Sequence, residues 1–571
     1  MEFDALLTNA RIADVFRYRL AKGWIGIRGG RFAAVEAGDA PAGIRAAETL
    51  DLAGRIVLPG LIDSHLHIES SLLTPRRFAE AVLPFGTTTI LSDPHEVGNV
   101  AGEAGVKWMI AASQNLPLRI YHSIPSCVPA TAPELEWTHE VFDAAAIRRL
   151  ARQPSVIALG EVMDYRGLLG PNERLQAIVA AARENKLIIE GHIPTLSGLE
   201  LSQYLAHGIS SDHTLTFAAK IQEQISKGLA VMLQTKSLTP ENMAAVAGLP
   251  DRSHIILVTD DIEPPLLTDG KGHLSRIVAL AIECGMPPLE AIAAASIRPA
   301  RYLGLRDHGA IAPGFLADFL VMDDIAAFPP AQVYVGGQAV AEAGAMAAPI
   351  TRENPAQPEY PGIPGNFVAD DFKLDDSGRD GSVEAQVVAL QNRHSTLTQL
   401  AQTTVRLNAG HAQFQADDGL ALASVIARDE SSRTVGLIAN TGLRQGAWAS
   451  SVAHDCHNLL VIGRSPAAMA AAANAVQSMG GGVAVATDDG VTASLRLPYF
   501  GLLSDQPVAE VANGLTAVED AMRSLGAHQT RPFLTFSIMS LSVSPYAKFT
   551  DKGIVDTESR RLIQPISAEV Q

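Results

Sequence analysis

Residues 59–70 read Pro-Gly-Leu-Ile-Asp-Ser-His-Leu-His-Ile-Glu-Ser, an apolar approach that ends in His65 and His67. The apolar stretch from Gly54 to Ile62 predicts a buried strand. Along a strand, residues i and i+2 share a face. His65 and His67 therefore aim two imidazoles at one point, as a divalent metal requires. Two histidines at this spacing say little alone. Here they open a series of strand-terminal His, Glu and Asp residues that continues for about two hundred residues.

Seven further strands are expected downstream, over Thr87–Ser92, Arg119–Ile124, Val156–Val162, Leu187–Ile193, Ile209–His213, Ala230–Leu233 and Ile255–Asp260. Helix-like stretches such as RFAEAVLPF, NERLQAIVAAAREN and SGLELSQYLAHG separate several of them. Strands alternating with helices over about 250 residues predict an α/β fold of the (β/α)8 TIM-barrel type. An open, doubly wound sheet is the competing architecture.

In a barrel the chemistry sits at the C-terminal ends of the strands. Read in order, those ends offer His65 and His67, then Asp93-Pro94-His95-Glu96, Glu161, His192, Asp212-His213 and Asp260-Asp261. The His, His, Glu, His, His, Asp set can hold two divalent ions a few ångströms apart, with Glu161 as a bridge. Taken singly, each residue has a plainer reading: a core histidine, a salt-bridge glutamate, an N-cap aspartate. Six in succession favour a metal site.

The chain has 571 residues, 47% of them hydrophobic, with a formal net charge of -17 and a pI near 5.4. That length calls for several domains. The acidity argues against nucleic acid or an anionic membrane as partner. Cys127, Cys284 and Cys456 are far apart and form no CxxC pair. No apolar run approaches the length of a membrane span, and the N-terminus lacks the pattern of a signal peptide. A cytoplasmic location is the simplest expectation.

Short alternating segments at both flanks predict one small β-sandwich domain built from residues 1–57 and 310–350. The metal-dependent barrel is expected over 58–309. A linker rich in Pro, Asp and Gly spans 351–380, and a C-terminal α+β domain spans 381–571.

The segments PGLIDSHLHIESS, LPFGTTTILSDPHEVGNV, LGEVMDY, GHIPTLSG, ISSDH and VTDD resemble those of the bacterial adenine deaminases, a branch of the amidohydrolase superfamily. The likeness continues through RPARYLGLRDHGAIAPGFLADF to GAWASSVAHDCHNLLVIG, LPYFGLLSD and PFLTFSIMSLSVSPYAKFTDKGIVDT, and covers nearly the whole chain. It implies hydrolysis of adenine to hypoxanthine and ammonia, in purine salvage. It also implies two divalent ions, Mn2+ or Fe2+ with Zn2+ compatible, on His65, His67, Glu161, His192, His213 and Asp260. Superfamily members often assemble, so a homo-oligomer is expected.

On this reading Asp260 accepts a proton from water and passes it to the leaving amine. Glu96 or His95 is the expected donor to a ring nitrogen. Glu69, Thr214, Gln234, Asp261, His454 and His457 are expected to contact the purine. Three positions depart from the family pattern: Thr214 where Glu is usual, Gln234-Thr235-Lys236-Ser237 where the pattern resembles Arg-Glu-Gly-Ser, and Ile262 where Arg is frequent. They leave another aminopurine, or a cyclic amidine or amide, as the alternative substrate. A ring-opening hydrolase related to hydantoinases would often carry a modified lysine where Glu161 stands. A metal-binding scaffold without turnover would be expected to lack a ligand or Asp260.

Overall fold

The computed structural model describes residues 2–415 and 418–566. It divides into two compact units. The first comprises 1–94, 110–124 and 144–355, and the second 95–109, 125–143 and 356–571.

Between residues 61 and 257 of the first unit run eight short strands: β1 (Leu61–Leu66), β2 (Thr87–Ser92), β3 (Arg119–Ile124), β4 (Val156–Val162), β5 (Ile188–Gly191), β6 (Ser211–Asp212), β7 (Ala230–Leu233) and β8 (Ile255–Leu257). Strands β1 to β5 pair in sequence order as one parallel sheet, and β6 to β8 as another. The Ser210 N–H donates to Ile189 O at 2.9 Å beside the gap between β5 and β6. Beyond β8, a parallel bridge joins Asp260 to Leu66 of β1. Helices follow the strands, among them Pro75–Val82, Glu173–Glu184 and Gly198–Ala206.

The side chains explain why these strands stay buried. On β7, Val231 and Leu233 join one apolar cluster while Ala230 and Met232 join another. Alternate residues thus find apolar cover on both faces, as parallel strands require. The cluster containing Leu233 also holds Leu61, Ile255, Leu257, Ile277 and Val278.

Gly54 to Ile62 is not one strand. Ile56–Pro59 and Leu61–Leu66 are separate strands that meet at Gly60. A Cβ on Gly60 would stand 2.2 Å from Thr88 Oγ1, so only glycine lets the chain pass β2 this closely. Ile56–Pro59 pairs parallel with Glu2–Asp14 and antiparallel with Phe319–Met322. Both flanks thereby enter one nine-stranded sheet whose core includes Ile25, Phe32, Val57 and Phe319.

In the second unit a nine-stranded sheet is mostly antiparallel, with Gly381–Leu390 and Arg433–Ala439 paired in parallel. The helix Pro466–Ser478 starts at Ser465, whose Oγ accepts from the Ala468 N–H, and has proline in its first turn. Its Ala468, Ala472 and Val476 share a core with Leu422, Leu437 and Val461 of the sheet. Ala547–Thr550, Gly553–Asp556 and Arg561–Ile563 form a separate three-stranded sheet.

Candidate metal centre

Four expected strands stop earlier than the sequence indicates. β1 ends at Leu66, β5 at Gly191, β6 at Asp212 and β8 at Leu257. His67, His192 and His213 lie just past the strand ends, and Asp260 lies three residues past β8, on its own bridge to Leu66. There the backbone leaves the ladder and the side chains turn inward. Asp260 takes φ +60°, a left-handed conformation that aspartate adopts more readily than most residues. Its N–H still donates to His65 O at 3.2 Å.

Six side chains converge in the first unit. His67 Nε2 lies 3.3 Å from Glu161 Oε1 and 3.7 Å from Asp260 Oδ1. His192 Nδ1 and His213 Nε2 lie 2.6 Å and 3.1 Å from Glu161 Oε2. His65 Nε2 is 3.8 Å from Asp260 Oδ1, and the His65 ring stacks on His213 with centroids 3.8 Å apart. Glu161 thus presents one oxygen to His67 and the other to His192 and His213. Two groups of ligand atoms, His65-Glu161-His213 and His65-His67-Asp260, are each close enough to share an ion.

The donor set passes a second test of fit. His65 Nε2 and His213 Nδ1 are buried and have no hydrogen-bond partner among the described residues. Polar atoms in that state are costly unless something occupies them. His67 Nδ1 faces the Asp93 carbonyl at 3.1 Å. A carbonyl only accepts, so Nδ1 carries a proton, and a neutral ring would turn its Nε2 lone pair toward Glu161 and Asp260. His65 Nδ1 faces Glu190 Oε2 at 3.4 Å, which fixes the orientation of the ring.

The charges of the buried groups act strongly on one another. Burial, then His213, drives His65 down to about 3. Burial would raise Glu161, but His213 and His192 hold it well below the ordinary carboxylate range. Burial opposes protonation of His213, yet Glu161 lifts it to about 9. Glu190 is pushed well above its ordinary value by burial and the Asp93 charge. A dication among these groups would favour ionised carboxylates and neutral imidazoles.

A supporting layer holds the ligands. A Cβ on Gly160 would stand 2.1 Å from Asp93 Oδ2, and the same oxygen accepts from the Glu161 N–H at 3.3 Å. Asp63 Oδ2 accepts from Thr259 Oγ1 at 2.7 Å, and Thr259 Oγ1 meets His273 Nε2 at 3.1 Å. Burial drives His273 down to about 3 and lifts Asp63 to about 7. Tyr204, on Gly198–Ala206, donates to Val162 O at 2.7 Å and accepts from the His192 N–H at 3.4 Å. That ties the ends of β4 and β5 together.

The residues expected to touch substrate fall into different settings. Gln234 donates to Asp260 Oδ2 at 2.7 Å and to His213 O at 2.9 Å. Thr214 Oγ1 lies 2.9 Å from both Asp212 Oδ1 and Ile193 O, and accepts from Lys220 Nζ at 2.7 Å. Glu69 is fully buried on the short 3-10 turn Ile68–Ser71. Ser70 Oγ donates to exposed Asp261 Oδ1 at 2.5 Å. Ile262 is buried.

His95, Glu96, His454 and His457 belong to the second unit, where His95 groups with Cys127 and Asp455, and Glu96 groups with His454 and His457. Glu96 Oε1 lies 3.5 Å from His454 Nδ1, and Glu96 Oε2 lies 3.7 Å from His457 Nε2. His457 Nδ1 accepts from the Ala453 N–H at 3.2 Å. Burial, then His454, holds His457 well below its ordinary value, so the ring is neutral. Its one proton therefore sits on Nε2 and points toward Glu96. That tautomer donates; it offers no lone pair to a metal at Nε2. Arg428 supports the loop by donating to His457 O at 2.7 Å and Phe500 O at 3.0 Å.

The sequence reading missed Glu190, Asp63, Thr259 and His273, and gave Asp93 no role. Glu190 was within reach of the rule that singled out His65 and His67, because it stands two residues before His192. The other contacts join distant stretches and carry no local signal.

The amidohydrolase family profile matches residues 56–340, and the profile of the adenine deaminase C-terminal domain matches 395–561. Adenine deaminase of Desulfatibacillum aliphaticivorans is 36% identical, with 97% of this chain and 95% of that protein aligned. Adenine deaminase of Nitratidesulfovibrio vulgaris strain Hildenborough is 37% identical over the same shares. That of Serratia proteamaculans is 36% identical, over 100% of this chain and 96% of its own. Among solved structures, N-acetyl-D-glucosamine-6-phosphate deacetylase from Mycobacterium smegmatis aligns at 19% identity and TM-score 0.45, over 59% of this chain and 99% of its own. The α/β core belongs to a hydrolase of the amidohydrolase superfamily, whose members are metal-dependent, and its cluster of His, Glu and Asp side chains could hold a metal ion. Within that superfamily, the chain belongs to the adenine deaminase family.

Proposed function

We propose that this protein hydrolyses adenine to hypoxanthine and ammonia at the cluster formed by His65, His67, Glu161, His192, His213 and Asp260. The observation that carries the reading is the split carboxylate of Glu161, with one oxygen toward His67 and the other toward His192 and His213. The full-length likeness to adenine deaminases supplies the substrate. Two divalent ions fit the set, and all-nitrogen and oxygen donors suit Mn2+ or Fe2+. The eight strands are best read as a (β/α)8 barrel closed through the Leu66 to Asp260 bridge.

Bound divalent metal would supply Lewis acidity that makes water acidic enough to ionise near neutral pH. The chain's own groups do the rest. Asp260 Oδ1 faces His65 and His67, whereas Oδ2 is occupied by Gln234. Oδ1 is the atom placed to take the water proton as the new C–O bond forms at C6 of the purine. The C6=N1 π pair moves onto N1 and a tetrahedral carbon results. Asp260 then returns the proton to the departing amine, the pair on N1 re-forms the double bond as the C–N bond breaks, ammonia leaves, and the hydroxyl proton shifts to N1 to give hypoxanthine. Burial of the ligands strengthens these interactions by excluding water.

The test is ammonia release from adenine by protein reconstituted with manganese, run beside 6-substituted purines, adenosine and a metal-free control. Release from adenine is expected. Release from another purine but not from adenine would redirect the substrate and keep the chemistry. Buried Ile262 and the engaged side chain of Thr214 are where such a redirection would originate.

A further inference from the structure

We propose that Gln234 is a positioning residue for Asp260 rather than a contact for the purine. The inference rests on the reading of Asp260 as the proton acceptor. Gln234 follows β7, is 5% exposed, and belongs to the same unit as the ligand cluster. Its Nε2 donates to Asp260 Oδ2 at 2.7 Å and to His213 O at 2.9 Å. A primary amide has two N–H groups, so both are committed within the protein. No donor on Gln234 is left for a ring nitrogen.

The amide therefore does one geometric job. It holds Oδ2 and so fixes the rotation of the carboxylate, which leaves Oδ1 facing His65 Nε2 and His67 Nε2 at 3.8 Å and 3.7 Å. Asp260 needs such a restraint. It sits on a left-handed backbone three residues past the end of β8, tied to the sheet by the Leu66 bridge, to which the Asp260 N–H to His65 O hydrogen bond belongs. Glutamine at this place supplies a neutral donor. It orients the carboxylate without neutralising its charge, so the group remains able to accept a proton. A cation there would hold the proton off more strongly.

The test compares Gln234→Met, which keeps the length of the side chain and removes both donors, with Gln234→Asn and with Asp260→Asn. A misdirected general base costs on the order of 10- to 100-fold in rate. Gln234→Met should lower kcat by about that factor with KM for adenine held within about threefold, because substrate binding is untouched. Its relative kcat/KM across adenine and 6-substituted purines should stay that of the parent protein. Metal content should remain at the parent level, and a crystal structure of the variant should show Asp260 Oδ2 displaced. In the Asp260→Asn background, Gln234→Met should add no further loss.

A raised KM with unchanged kcat, or an altered order of purines, would make Gln234 a substrate contact and overturn the proposal. Additive losses in the double variant would also overturn it. Full turnover in Asp260→Asn alone would defeat the reading of Asp260, whatever Gln234→Met does. The two failures are therefore separable.

Discussion

Asp260 is the residue on which the chemistry turns. Asp260→Asn removes the acceptor and retains the shape, so turnover should fall by about 10^2- to 10^4-fold while metal stays bound. Measuring kcat and metal content on the same preparation checks this, and near-parental turnover would exclude the role. Glu190 acts one step back, through His65. Glu190→Gln should weaken metal binding by about 10- to 100-fold, read as the chelator concentration that strips the protein, because ligand orientation depends on such partners. An unchanged chelator midpoint would count against it. His65, His67, Glu161, His192, His213 and Asp260 were all legible in the sequence. Each stands where an apolar run ends, and strand ends are where this architecture places function. Glu190 follows the same period-two rule. The commitment of Gln234 and Thr214 was not legible, because a side chain's partners across strands leave no trace in local pattern.

At the scale of elements, the strand ends depend on close backbone approaches. Gly160 precedes Glu161 on β4, and a Cβ there would collide with Asp93 Oδ2. Gly160→Ala should displace Asp93, loosen the Glu161 backbone and lower both metal content and Tm. A variant that keeps both would show that Asp93 can move at no cost. In the second unit, Lys548 is fully buried on Ala547–Thr550 and donates to Thr396 O at 2.8 Å. Burial pushes it down to about 7 from an ordinary 10.5. Between those values the unfolded chain holds a proton that the folded chain lacks, so stability rises with pH across that window. The cost is fully present below about pH 7 and gone above about pH 10.5. Lys548→Met should flatten the rise, by about 3 to 5 kcal/mol over the whole window. Urea midpoints at pH 7 and pH 9.5 test this, and parallel profiles for the two proteins would refute it. Strand runs were readable because alternation and apolar patterning are local. The split at Gly60 was not, since it reflects a collision with Thr88 on the neighbouring strand.

For the whole molecule, metal and folding should be linked. The cluster buries three imidazoles and two carboxylates, with His192 partly exposed. A ligand at a hundred times its Kd stabilises the folded state by about 2.7 kcal/mol per site. Chelation should therefore lower the Tm, and manganese should restore it. Superimposable melts with and without chelator would speak against a metal in this cluster. No helix among the described residues is long and apolar enough to cross a membrane.

By itself the sequence determined the order of strands and helices, the six residues at the strand ends and the family to which the chain belongs. These follow from periodicity, from turn chemistry and from motifs, all of which are written locally. Only the tertiary structure decided that Glu161 divides its oxygens between two sets of histidines, that Glu190 stands behind His65, that Gln234 holds Asp260, and that His454 and His457 gather with Glu96. Those are contacts between residues tens to hundreds of positions apart. Such contacts are set by which strands lie side by side and how closely their backbones approach, quantities that no single stretch of sequence contains.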